Sequence, residues 1–281
     1  MGKSNISYLD RVVNVTPGCS GKGCLANCWA EDAHNKRHKA FLAGKKMPKQ
    51  YAKPFNVVQF FPERLQEALH RKKPTVYGVS FTGDLFDEQV RFEWFKSILF
   101  QMYGKGRHHT YVLLTKHPDR MAQFFADQMH TGGLWETPLS NVWLGTTVTT
   151  QPEADEKIPE LLKVPGKKWV SLEPLLGPVN LRLATPCDKN CNEYQYAECP
   201  GTSGPCVMQR HGIDLVILGC ESGPKRRTPL YQWFYDVVQQ CREAGVPCYV
   251  KQYPFRGKVS TNPEEWPPEL RVRDLPWRKD Q

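Results

Sequence analysis

The 281-residue chain has no uninterrupted apolar stretch long enough to cross a bilayer, and its opening residues, MGKSNISYLDR, lack the apolar centre of a signal peptide. These two absences predict a protein that neither enters a membrane nor is exported, and so one that works in the cytoplasm. A reducing compartment argues against disulfides. A chain of this length buries a core without such staples, so its ten cysteines need another account: metal ligands, reactive thiols or small buried side chains. Acidic residues are also in short supply. The formal net charge of +9 favours a polyanionic partner, because phosphates neutralised by Lys or Arg release condensed counterions. Basic clusters stand at NKRHK (35–39), GKK (44–46 and 166–168) and PKRR (224–227). Each alone also fits a solvated face.

What the chain does have is a rhythm. Short, β-branched apolar runs recur at 12–15, 56–60, 75–80, 110–115, 141–147, 168–173, 214–219 and 248–252. They are continuous rather than alternating, which suits parallel strands covered on both faces. Helical periodicity fills several of the gaps: 62–72 with Leu65 and Leu69, 91–104 with Phe92, Phe95, Leu99 and Met102, then 118–129 and 228–245. Eight strand signals alternating with helices predict an α/β fold, a single (β/α) TIM-like barrel over residues 1–255. It carries a cysteine-rich insertion at 184–212 between the sixth and seventh strands. A Trp- and Pro-rich tail, 256–281, follows and docks its tryptophans on the barrel.

Such barrels carry their chemistry on the loops after the strands. Those positions hold Cys19, then Ser80, Thr82 and Asp84 in SFTGD, Thr115 and Lys116 in LLTKH, and Thr146 and Thr147 in GTT. Ser171 and Glu173 in SLEP, Glu221 and Ser222 in GCESG, and Lys251 and Gln252 in VKQ complete the set.

The loop TPGCSGKGCLANCWAEDAH (16–34) places Cys19, Cys24 and Cys28 at C-x4-C-x3-C beside Gly18, Gly21 and Gly23, with no fourth cysteine nearby. Three thiolates leave one coordination position open. A zinc site would complete it with His34 or His38; a four-iron, four-sulfur cluster would leave one iron exposed to an outside ligand. The glycines suit a backbone that wraps closely around such a body. A second group, Cys187, Cys191, Cys199 and Cys206, lies in a polar stretch without apolar periodicity. Four thiolates there fit either a structural zinc or an auxiliary iron–sulfur cluster. Cys241 and Cys248 fall on apolar faces and read as core, while Cys220 sits at the strand-end rim.

A three-thiolate loop after the first strand of a (β/α) barrel resembles the cluster loop of radical S-adenosylmethionine (SAM) enzymes. Together with SFTGDLFDE, LLTKHPDRM, NVWLGTTVTTQ, WVSLEPLLGP, VILGCESGP and YVKQY, it resembles a phage-associated family of radical-SAM-like proteins over about residues 12 to 255. Most radical SAM enzymes space the cysteines C-x3-C-x2-C, and this chain is longer by one residue in each gap. The resemblance implies a 4Fe-4S cluster on Cys19, Cys24 and Cys28, and SAM held by Ser80, Thr82, Asp84 and Ser222. Glu173, Glu221, Lys116 and Lys251 would act on the substrate. It further implies an electron donor such as flavodoxin or ferredoxin, the cytoplasm of a phage host, and DNA as partner. The implied reaction is of the isomerase or rearrangement type, in thymine hypermodification. Two other readings stand beside it: a zinc-stapled nucleic-acid-binding protein without catalysis, and a radical SAM lyase acting on DNA lesions. Oligomeric state is left open.

Overall fold

A computed structural model describes residues 3–21, 28–130, 139–183, 212–222 and 226–278. The chain divides into two compact units, Met1–Thr146 with Lys163–Gly166, and Thr147–Leu162 with Lys167–Gln281. The first unit runs β1 (Arg11–Val13), α1 (Trp29–Leu42), α2 (Leu65–His70), β2 (Val76–Val79), α3 (Phe92–Tyr103), β3 (Thr110–Thr115), α4 (Pro118–His130) and β4 (Val142–Thr147). The second runs α5 (Gln151–Leu162), β5 (Lys167–Leu172), β6 (Leu215–Leu218), α6 (Tyr231–Glu243), β7 (Cys248–Val250) and a hairpin, β8 (Tyr253–Phe255) with β9 (Lys258–Ser260).

In the first unit the strands pair in parallel and in chain order, with Val12 beside Gly78, Tyr77 beside Tyr111 and Leu113 beside Leu144. In the second, Trp169 pairs with Leu215 and Ile217 with Tyr249, again in parallel. The sheet order is β1-β2-β3-β4-β5-β6-β7, which with the interleaved helices is a TIM-like partial barrel of seven strands. Every residue of β2 and β6 is buried, as expected of strands covered on both faces.

The helices bury the faces their sequence periodicity marks. On α3 these are Phe95, Ile98, Leu99 and Met102. Phe95 sits edge-on to Phe86 at 4.6 Å and to Phe124 at 4.7 Å, and each such buried aromatic stabilises the fold by about 2 kcal/mol through area alone. On α6 the buried residues are Phe234, Val237, Val238 and Cys241, and Gly245, at φ +66°, follows the helix end. Cys241 and Cys248 both lie in this core.

Two expectations are corrected. The apolar run at 56–60 is not a strand. It lies along the loop after β1, with Gln59 N–H donating to Pro17 O at 3.0 Å and Phe61 N–H to Val15 O at 2.8 Å. The sheet among the described residues therefore has seven strands, and the cysteine-rich segment 184–212 falls between β5 and β6 rather than between a sixth and a seventh strand. At the far edge of β7 the chain's last part takes up the exposed main-chain groups: Val250 N–H donates to Val272 O and Asp274 N–H to Cys248 O, an antiparallel pairing centred on Tyr249 and Arg273. The Arg273 guanidinium covers the Tyr249 ring at 4.3 Å, and Trp266 and Trp277 are buried. Among the described residues no helix is long and apolar enough to cross a membrane.

Candidate functional site

The strand ends of the first unit are held by main-chain contacts. After β1 the chain reaches Gly18, which forms a parallel bridge with Gly83 of the SFTGD loop, Gly18 N–H donating to Thr82 O at 3.2 Å. The next residue, Cys19, donates its N–H to Phe55 O at 3.0 Å. Glycine is required at both bridge positions. A Cβ at Gly18 would stand 2.7 Å from Val57 O and at Gly83 only 2.1 Å from Thr16 O, and Gly18 also adopts φ +97°. Cys19 is thus gripped between two segments that leave its backbone no room.

Cys19 is buried with Ala30 and Phe55, and Cys28 packs against the same group. Cys28 is also the N-cap of α1, its carbonyl accepting the Asp32 N–H, so it stands at the start of a fourteen-residue helix. Cys24 lies outside the described residues, as do Cys187, Cys191, Cys199 and Cys206. Among the described residues no three metal-ligating side chains converge. The two histidines that a zinc site would draw on each commit one ring nitrogen to a main-chain carbonyl: His34 Nε2 donates to Lys53 O at 2.9 Å and His38 Nδ1 to Tyr51 O at 2.8 Å. His34 is buried against Tyr51 and Phe55.

Asp87, which the sequence reading passed over inside SFTGDLFDE, is fully buried beneath this loop. Its carboxylate accepts the Ser20 N–H at 2.7 Å and the Gln89 N–H at 3.0 Å. Burial alone would raise this carboxyl, but the bonds from Gln89, Ser20 and Cys19 outweigh it and hold it below the ordinary carboxylate value. The signal for it was an acid seven residues past the predicted strand end.

The SFTGD residues divide by role. Ser80, at φ +57°, accepts both the Thr16 N–H at 3.1 Å and the Thr16 hydroxyl at 2.8 Å. Asp84 accepts the Thr115 hydroxyl at 2.7 Å, the Phe86 N–H at 2.8 Å and the Lys116 N–H at 2.9 Å, tying the end of β2 to the end of β3. Thr146 in turn donates to Thr115 O. Thr82 differs: its hydroxyl oxygen is buried with no hydrogen-bond partner among the described residues.

In the second unit the rim is built from charged side chains. Glu173 Oε1 lies 2.7 Å from Lys251 Nζ, and the Ser171 hydroxyl donates to Glu173 Oε2 at 3.3 Å. Gly219 makes room for that carboxylate, since a Cβ there would sit 2.8 Å from Oε1. Cys220 is buried, and burial first, then the Glu173 charge, push its thiol up to about 11, so it is neutral and a poor nucleophile near pH 7. Gln252 donates to its carbonyl.

Glu221 does not join Glu173. Its two oxygens accept the Arg227 backbone N–H, Nε and a terminal guanidinium N–H at 2.7 to 3.0 Å. Arg227 thereby holds the carboxyl below its ordinary value and braces the rim. Ser222 is exposed. Below the rim, Glu153 accepts from Thr149 N–H and from the buried Lys157 ammonium, each at 2.7 Å.

No curated protein and no solved structure matches the chain. A family model does match, over residues 3–265, nearly the whole length, and it carries the description "Protein of unknown function". On that match the chain belongs to the DUF5131 family.

Proposed function

We propose that the protein is a radical SAM enzyme acting on a nucleobase or a base adduct in DNA, by a rearrangement of the isomerase type. The observation that carries this reading is the pairing of Cys19 and Cys28 in one buried group at the end of β1, with Cys24 in the short segment between them. Two thiols and an intervening third make a three-thiolate donor set, which suits a cluster with one iron left open to an outside ligand. When bound, such a cluster supplies one electron to the SAM sulfonium, and SAM supplies the radical that abstracts hydrogen from the substrate.

The chain's own residues supply holding and aiming. Cys19, Cys24 and Cys28 would ligate the cluster. The Gly18–Gly83 bridge and the Asp87 carboxylate fix the Cys19 backbone before any ligand arrives. The unpartnered Thr82 hydroxyl, one residue from that bridge, has an unused donor and acceptor for a polar group of SAM. Ser80 and Asp84 serve as frame for it, their oxygens being spent on Thr16, Thr115 and Lys116. In the second unit, Glu173 and Lys251 form the charged pair suited to proton handling, and Lys116 and Ser222 remain candidates for anionic or polar groups of the ligand. A flavodoxin or ferredoxin would deliver the electron.

Anaerobic reconstitution followed by iron, sulfide and zinc analysis tests the reading, together with reductant-dependent cleavage of SAM to deoxyadenosine. Roughly four irons per three-thiolate site and a cleavage activity abolished by Cys19→Ala, Cys24→Ala or Cys28→Ala are the expected results. A colourless protein holding zinc at that loop and inert toward SAM would refute the proposal.

A further inference from the structure

We infer that α1 and the segment returning from it form a docking surface for the phosphate backbone of duplex DNA, leading directly to the cysteine loop. Between Asp32 and Glu63 the chain has seven Lys or Arg residues and no Asp or Glu. Those thirty residues therefore hold seven of the nine net positive charges, leaving +2 for all the rest. A basic character confined in this way marks an electrostatic footprint rather than a generally solvated surface.

The fold gathers these charges instead of spreading them. After α1 the chain turns at Gly44, φ +78°, with Ala43 N–H donating to Lys39 O and Lys45 N–H to Ala40 O. It then runs back along the helix, pinned at His38 to Tyr51 O, at His34 to Lys53 O, and finally at Cys19 N–H to Phe55 O. Arg37 covers the Tyr51 ring at 5.6 Å. The three pins step from the far end of α1 toward Cys19, so the basic pair of segments is tied together along its length. Lys36, Arg37 and Lys39 on the helix are exposed, as are Lys45, Lys46, Lys49 and Lys53 on the return. None of the seven has an acidic partner among the described residues. The acids of α1, Glu31 and Asp32, are confined to its first turn.

The fit is to a duplex rather than to a single strand. Fourteen helical residues span about 21 Å, comparable to six base pairs of duplex backbone at roughly 3.4 Å each. Single-strand binders need several exposed aromatics on which bases stack; this surface offers Trp29 alone, at the end next to Cys28. Phosphate contacts would position the duplex and carry no sequence information.

The inference deepens the proposed function and rests on it for the choice of DNA, but its test is independent of the cluster. Binding of the full-length protein to a labelled 20-base-pair duplex is followed by fluorescence anisotropy from 50 to 300 mM salt. The variant Lys45→Gln/Lys46→Gln/Lys49→Gln/Lys53→Gln keeps the Lys53 carbonyl that His34 uses. It is compared with Lys72→Gln/Lys73→Gln/Lys105→Gln/Arg107→Gln, which removes the same charge from exposed positions of the same unit ahead of β2 and β3. Loss of four phosphate contacts should flatten the slope of log K against log salt by about 3 to 4 and weaken binding at 100 mM salt by at least about 100-fold. The control set should change affinity less than about 5-fold.

Equal losses in the two sets would overturn the surface, as would equal affinity for a 20-nucleotide RNA strand or for phosphatidylserine vesicles. Iron content and DNA-free SAM cleavage, measured on the same samples, should not move. If neither is found in any sample while duplex binding still localises to this face, the radical reading fails and the surface stands.

Discussion

The strand ends of the two units are built from different materials. In the first, backbone meets backbone: Gly18 against Gly83, Cys19 against Phe55, and buried Asp84 and Asp87 accepting main-chain N–H groups. In the second, side chain meets side chain: Glu173 with Lys251 and Glu221 with Arg227. Backbone contacts are short and cannot rearrange without moving the chain, whereas ion pairs at a partly open rim shift rotamer, titrate and respond to salt. The contrast is between a rim fixed by main-chain contacts in one unit and a rim of adjustable charges in the other.

Two glycines give the sharpest way to break this comparison. Gly83→Ala would drive a methyl group onto the Thr16 carbonyl, a main-chain atom that cannot step aside. We expect a loss of about 3 to 4 kcal/mol in urea-unfolding stability, together with loss of metal loading. Gly219→Ala meets only the end of the Glu173 side chain, which can swing away from Lys251, and should cost about 1 kcal/mol. Similar costs for the two would show the rims to be equally rigid.

Acid separates the units next. His109, buried in the first unit with Nε2 donating to Ala68 O at 2.8 Å, has its value lowered chiefly by burial. The unfolded chain therefore takes up this proton first, and stability falls once pH drops below the ordinary histidine value of about 6.5. In the second unit burial would raise Glu153, but Lys157 and Thr149 hold it below its ordinary value. Its contribution is complete above the unfolded carboxylate value and is lost as pH falls through the lower folded one. Urea midpoints measured from pH 7.5 to 3 should therefore show an early decline reduced by His109→Gln and a later one, shared with Asp87 and Glu221, reduced by Glu153→Gln. A single decline unaffected by His109→Gln would contradict the assignment.

The smallest effect belongs to an exposed contact. Arg182 and Asp155 pair at 2.8 Å with about half of each side chain in water, so Asp155→Asn should change stability by less than about 0.5 kcal/mol.

Much of the frame was legible because parallel strands announce themselves. The run at 110–115 is a strand in full and that at 141–147 is one from Val142 onward, and the polar residues closing them stand at strand ends. The run at 56–60 misled because Val58 is buried like a strand residue while its neighbours bond an irregular loop, a distinction periodicity does not carry. Helix α5 was missed since Pro159 sits inside it. Pairing was the least legible layer. Nothing local says that Arg227 takes Glu221, or that Asp87 reaches back to Ser20 across sixty-seven residues.

One consequence follows from the pairing of residues 272–274 with β7. A chain trimmed before Val272 would leave the Val250 amide and the Cys248 carbonyl of a buried, apolar strand without these partners, and naked strands recruit other strands. Such a shortened protein should assemble into oligomers or precipitate during expression, even though every residue of the cysteine loop would still be in place.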